Sequence, residues 1–222
     1  MKFQSTFSLG KAIKEPTIAA IKSEPMLWNC DLEHAKRIGH ELTNNFINAL
    51  PQSWTDGPLV FDSRTHMLMP GWFPCIPGWH HDDLPRTRED KQPNYFDNSV
   101  RAEHAMMLFN GDICPTEFAI GDIELDIPGE NEIIYRLWHP KIDLACDTGV
   151  LRKQSIPSAT VAFFNDRTWH QGTAAKAGGF RFFIRASRHF NANGERIAKP
   201  GILANEQRFQ SQVYMPDPYV GW

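Results

Sequence analysis

Trp79-His80-His81-Asp82, followed far downstream by Trp169-His170 and then by Arg181, carries the residue types of a metal centre at a telling spacing. A His-x-Asp pair close in sequence and a distant third His can occupy one face of an octahedral iron and leave positions open for a co-substrate and dioxygen. An Arg shortly after the last His suits an acidic co-substrate, because the guanidinium fork can donate two parallel hydrogen bonds to one carboxylate. The implied chemistry is oxygen activation. A zinc hydrolase uses the same ligand types, but this spacing suits it less well.

In a strand, residues i and i+2 face the same way, so His80 and Asp82 can both point into a barrel while His81 and Asp83 point away. The register His81 with Asp83 fits that alternation equally. Isolated His and Asp in a Gly/Pro-rich segment are usually turn or surface residues, so a second segment has to support the first. It runs Ile156-Pro-Ser-Ala-Thr-Val-Ala-Phe-Phe-Asn-Asp-Arg-Thr-Trp-His170-Gln-Gly172 and places His170 88 positions after Asp82. In Phe180 to Ser187, alternation puts Arg181, Phe183, Arg185 and Ser187 on one face and Phe180, Phe182, Ile184 and Ala186 on the other. Charge on a face amid so many apolar neighbours needs an anionic partner.

The elements that must position these residues are mainly strands. Leu32, Ala35, Ile38, Leu42, Phe46 and Leu50 recur three or four residues apart, which predicts one helix from Asp31 to Leu50, ended by Pro51. Beyond it come short apolar runs: Leu59 to Phe61, Thr65 to Met69, Val100 to Phe109, Glu117 to Ile127, Thr160 to Phe164 and Phe180 to Ala186. A helix followed by many strands predicts a β sandwich or barrel with a helical buttress. The polar, aperiodic stretch Leu84 to Ser99 reads as a long loop.

At 222 residues with 41% apolar content, the simplest reading is one domain, with a helical buttress at about 31–50, a core at about 58–190 and a C-terminal wrap over 191–222. No run approaches eighteen apolar residues, and the N-terminus lacks the apolar stretch of a secretory signal. A soluble, cytoplasmic protein with no membrane partner is expected. Cys30, Cys75, Cys114 and Cys146 are too scattered for a zinc site or a disulfide framework. A net charge of −3 argues against broad adhesion to nucleic acid, so the expected partner is a small molecule.

Preceded by Trp79, the pair His80 and Asp82 resembles the WHxD segment of phytanoyl-CoA dioxygenase-like members of the iron(II)- and 2-oxoglutarate-dependent oxygenases. The segment from Ile156 to Gly172 resembles the same family's later strand and turn, whose His-x-Gly delivers the third ligand. The likeness spans about Met67 to Arg188. It implies a double-stranded β-helix (jelly-roll, cupin-like) barrel with flanking helices, and it favours His80, Asp82 and His170 as ligands of Fe(II) over the neighbouring register. It also implies that Arg181, 11 positions after His170, grips the distal carboxylate of 2-oxoglutarate.

Some members carry a Ser or Thr two residues after that Arg, where this chain has Phe183. Arg185-Ala-Ser187 repeats the spelling four residues late. Arg185 is therefore a second candidate for co-substrate binding, with an acidic substrate group or a structural carboxylate as its other partners. The resemblance implies hydroxylation of a small organic substrate by O2, with decarboxylation of 2-oxoglutarate to succinate. Retention of Asp82 disfavours halogenation. An oxygenase acting on a nucleobase or residue within a polymer, and a non-catalytic jelly-roll binding protein, are the alternatives.

Trp72, Phe73, Trp79, Trp138 and Trp169 fall near the site segments, where they either stack a flat substrate or fill the core. Arg86, Arg88 and Lys91 in the long loop are candidates to attract an acidic substrate.

Overall fold

The computed structural model describes residues 1–201, 203–208 and 213–215. The chain opens with β1 (Lys2–Ser5), β2 (Phe7–Ala12), α1 (Ile18–Ser23), β3 (Met26–Trp28), α2 (Leu32–Ile38), α3 (Glu41–Ala49) and α4 (Gln52–Thr55). It continues through β4 (Val60–Leu68), β5 (Val100–Phe109), β6 (Thr116–Glu124), α5 (Ile134–Asp147), β7 (Arg152–Ser155), β8 (Thr160–Asn165), β9 (Trp169–Gly172) and β10 (Gly179–Asn191). The short β11 (Arg196–Ile197) and β12 (Glu206–Arg208) close it.

Two antiparallel sheets face each other. The larger runs β4-β10-β5-β8-β2, with β11 also on β10. In the smaller, β6 pairs with β7, β9 and β1, and a bridge between His80 and His170 adds the segment around His80 beside β9. The chain therefore passes from β4 to the His80 segment, to β5, to β6 and β7, to β8, to β9 and back to β10, crossing between sheets at nearly every step. Orders β4-β10-β5-β8 and His80-β9-β6-β7 define a double-stranded β-helix, the mainly β fold with flanking helices implied by the sequence. The N-terminus threads the same design: β1 extends the smaller sheet beside β6 and β2 extends the larger beside β8.

Alternation then assigns every face. Outward from the larger sheet, Phe61, Ala105, Met107, Phe109, Phe182, Ile184 and Ala186 pack on Leu42, Phe46, Ile47, Leu50 and Trp54 of the helices. Outward from the smaller sheet, Ala119 and Trp169 join Phe3, Trp79 and Tyr95 against Ile134, Tyr135, Trp138 and Ile142 of α5. Between the sheets lie Met106, Phe118, Ile156, Ala162 and Phe164, and beside them an open cavity. Complete burial of a side chain such as Phe46 contributes roughly 1.5–3 kcal/mol, so each helical layer fixes the sheet it covers.

The buttress differs from the single helix expected. It is two helices, because Gly39 closes α2 in extended conformation and the Glu24 carboxylate accepts the backbone N–H groups of His40, Leu42 and Thr43 at 3.0 Å to start α3 anew. A Cβ at Gly39 would stand 2.5 Å from the Thr43 side chain, so this corner requires glycine. Helix α5 was not expected either. Pro140 sits inside it and masks its apolar period. The 84–99 stretch is loop, as expected, pinned by Arg88 to Asp90 and to the carbonyls of Pro128 and Gly129. Of the C-terminal wrap, 202, 209–212 and 216–222 lie outside the described residues. Among the described residues, no helix is long and apolar enough to cross a membrane.

Candidate metal centre

His80 enters from the irregular segment that follows Gly78, whose φ of +113° is open to glycine. His170 lies on β9, and the two exchange backbone hydrogen bonds, His80 N–H to His170 carbonyl at 3.0 Å and the reverse at 3.3 Å. Each imidazole donates its Nδ1–H to the carbonyl two residues earlier, His80 to Gly78 and His170 to Thr168, both at 2.9 Å. Those bonds fix the tautomer and turn both Nε2 atoms toward one point, beside the Asp82 carboxylate. Asp82 completes the group, with His170 Nε2 3.2 Å from one carboxylate oxygen and His80 Nε2 3.9 Å from the other. One ligand atom from each of the three lies within 4.8 Å of the others. Three convergent N and O donors of this kind fit a divalent transition metal.

The close neighbour Gly172 also has a reason. Pro74 and Cys75 cross so near that a Cβ there would meet Cys75 Sγ at 2.7 Å. The His-x-Gly spelling is thus a ligand followed by the gap that admits a crossing loop.

His81 and Asp83 diverge from this point. The His81 ring lies 3.7 Å from the Trp169 ring and its Nδ1 is 2.8 Å from the Tyr95 hydroxyl, in the apolar layer under α5. Asp83 turns to His189, 3.4 Å away.

Beside the three ligands opens a cavity of about 420 Å³, lined among others by Arg181, Arg185, Thr116, Cys75 and His66. The register across β10 and β4 sets its wall: Arg181 opposite His66, Phe183 opposite Arg64, Arg185 opposite Asp62. Arg185 has carboxylates on both sides, an Nη1 ion pair with Asp82 and Nη2 3.5 Å from Asp62. Of the partners open to it in the sequence, the ones it meets here are carboxylates of the chain itself.

Arg181 is different. It is 2% exposed, donates to Thr116 Oγ1 at 3.0 Å and forms no ion pair with any carboxylate among the described residues. Its Nε finds no acceptor. The titratable groups beside it stay neutral: burial pushes the Cys75 thiol up to about 11 and that of Cys114 up as well, and burial with Arg181 itself holds His66 well below its ordinary value. Burial lowers the Arg181 pKa too.

The electrostatics of the ligands follow the same geometry. Burial and then His170 push His80 down to about 4, so it is neutral at physiological pH. Burial pushes the Asp82 carboxyl up, but Arg185 and His170 outweigh it and hold the group well below the usual carboxylate range. The His80 imidazole stays unprotonated and the Asp82 carboxylate ionised, as metal binding requires.

No protein-family model and no curated protein matches the chain. Among solved structures, the chain is similar to apo HygX from Streptomyces hygroscopicus, at 11% identity and a TM-score of 0.44, covering 95% of this chain and 93% of that one. HygX with iron bound, from the same organism, gives 11% identity and a TM-score of 0.39 over 85% of each chain. A non-heme monooxygenase, the ThoJ nickel complex, gives 10% identity and 0.39, covering 90% and 82%. The strand order above, rather than these distant likenesses, defines the fold.

Several candidates from the sequence fall elsewhere. Trp79, Trp138 and Trp169 fill the layer under α5, and Trp72 packs near Leu68 and Cys114. The aromatic side chains that do line the cavity are Trp28, Phe183 and Tyr214; Trp28 and Tyr214 come from segments whose sequence gives no sign of nearness to the ligands. Arg86 is engaged on the Lys91 carbonyl and Arg88 on Asp90 and the Pro128 and Gly129 carbonyls, and neither lines the cavity. Thr116 is a wall residue, whereas Glu117 faces outward to Gln171.

Proposed function

We propose that the chain is an Fe(II)- and 2-oxoglutarate-dependent dioxygenase that hydroxylates a small organic substrate. The observation that carries this reading is the buried Arg181 guanidinium, with no carboxylate partner among the described residues, in the same cavity as His80, Asp82 and His170. Leaving a charge buried without a partner costs on the order of 3–5 kcal/mol, an arrangement that makes sense if an anion is to occupy the place. A dicarboxylate with one end at the metal ligands and the other at Arg181 answers both halves of the cavity.

In this reading His80, Asp82 and His170 hold the iron, and Arg181 with the Thr116 hydroxyl receives the distal carboxylate of 2-oxoglutarate. When bound, iron and 2-oxoglutarate with O2 supply the oxidising power for a C–H bond, with succinate and carbon dioxide released. The chain's own contribution is placement. Gly78 and Thr168 orient the imidazoles, Arg185 holds the Asp82 carboxylate, and the apolar layers behind both sheets keep water from the ligands. A cavity of about 420 Å³ suits a small molecule.

The test is anaerobic titration with ferrous ion and 2-oxoglutarate, followed by O2-dependent release of succinate. Failure to bind 2-oxoglutarate in the presence of ferrous ion overturns the proposal.

A further inference from the structure

Two more cations line the cavity, and neither has an acidic partner among the described residues. Arg64, from β4, has its guanidinium 5.3 Å from the centre of the Trp28 ring. Lys199 donates to the Asn29 side-chain oxygen, at 3.1 Å. Both are half-buried, both line the cavity beside Trp28, and the carboxylates nearby are already engaged. Asp62 and Asp82 flank Arg185, Asp62 also accepts the Asn29 N–H at 2.9 Å, and Asp83 faces His189.

The proposed co-substrate leaves this balance unchanged, because two positive charges from iron and two negative from 2-oxoglutarate cancel; Arg64, Arg181, Arg185 and Lys199 then outnumber Asp62, Asp82 and Asp83 on the cavity wall by one charge. Arg64 and Lys199, the cations with no ion pair to a carboxylate among the described residues besides Arg181, leave this concave, partly desolvated wall net positive, which focuses potential on whatever enters. We infer that the substrate bears a carboxylate or phosphate group, taken by Arg64 and Lys199, with the Trp28 ring as the flat wall beside it. This inference rests on the function proposed above, because it takes the space next to the metal ligands as the substrate's place.

The experiment uses the anaerobic ferrous enzyme saturated with 2-oxoglutarate, so that Arg181 is filled. Tryptophan fluorescence at constant ionic strength follows titration with benzoate, benzamide and inorganic phosphate. Benzoate and phosphate are expected to bind at least about tenfold tighter than neutral benzamide, a gap of about 1.4 kcal/mol. Arg64→Gln and Lys199→Gln are each expected to weaken benzoate and phosphate at least about fivefold and to leave benzamide unchanged. Equal binding of benzoate and benzamide in the parent, or equal loss of all three probes in both variants, overturns the inference. If 2-oxoglutarate fails to saturate the enzyme, the proposed function falls alone. The same titrations on the metal-free protein then decide the anion site by the same criteria.

Discussion

Arg185 bridges two carboxylates: one arm lies against Asp82 and the other reaches Asp62 at 3.5 Å, directly across the β4–β10 pair. One guanidinium thereby ties a candidate metal ligand to the rigid wall of the larger sheet. Asp82 sits on an irregular segment, so its orientation depends on that tie.

Arg185→Gln is expected to weaken metal binding by roughly 10- to 100-fold, the usual effect of removing a group that orients a ligand. Arg185→Lys keeps the charge but cannot span both carboxylates and is expected to fall between. Competition with a fluorescent chelator measures both. Parent-like affinity in Arg185→Gln means that Asp82 is held by other contacts.

His80→Ala and His81→Ala are expected to part company. The first loses metal affinity with a modest effect on folding. The second keeps the metal but loses stability by roughly 1–3 kcal/mol, because a buried polar partner of Tyr95 is removed. Chelator competition and urea denaturation of each variant separate the two. The opposite pattern would place the metal in the other register.

Arg181→Met has two expected signs. An uncompensated buried charge is replaced by an apolar chain of similar length, so the ligand-free protein gains about 1–4 kcal/mol in urea denaturation. Affinity for 2-oxoglutarate falls by about 2–5 kcal/mol, roughly thirtyfold or more. Loss of stability with unchanged 2-oxoglutarate binding would make Arg181 a purely structural residue.

His104 predicts a pH dependence of folding. Burial, and then Arg185, push it down to about 3, while its Nδ1 lies 2.8 Å from the Ser187 hydroxyl. The unfolded chain binds the proton more readily than the folded one, so this contribution is complete above about pH 6.5 and is lost as pH falls toward 3, at most about 1.4 kcal/mol per pH unit. In the metal-free protein, His104→Asn is expected to flatten the fall in urea midpoint between those limits. Parallel profiles for parent and variant would show that His104 does not titrate with folding.

Much was present in the order of residues. The His-x-Asp spacing, together with the family resemblance, pointed to His80, Asp82, His170 and Arg181, which meet at one cavity, and the alternation of Phe180 to Ser187 separated its apolar face from its charged one. These are local properties, set by side-chain chemistry and by the two-residue period of a strand. Period alone does not say which face looks inward. His80 with Asp82 and His81 with Asp83 are equivalent along the chain, and the packing of His81 against Trp169 and Tyr95 beneath α5 separates them. The same holds for charge. Arg181 and Arg185 lie on one face of one strand, yet among the described residues β4 and the His80 segment bring carboxylates to Arg185 and none meets Arg181. Coulomb energy depends on distance in space, so which of the two cations meets a carboxylate was decided by the tertiary fold.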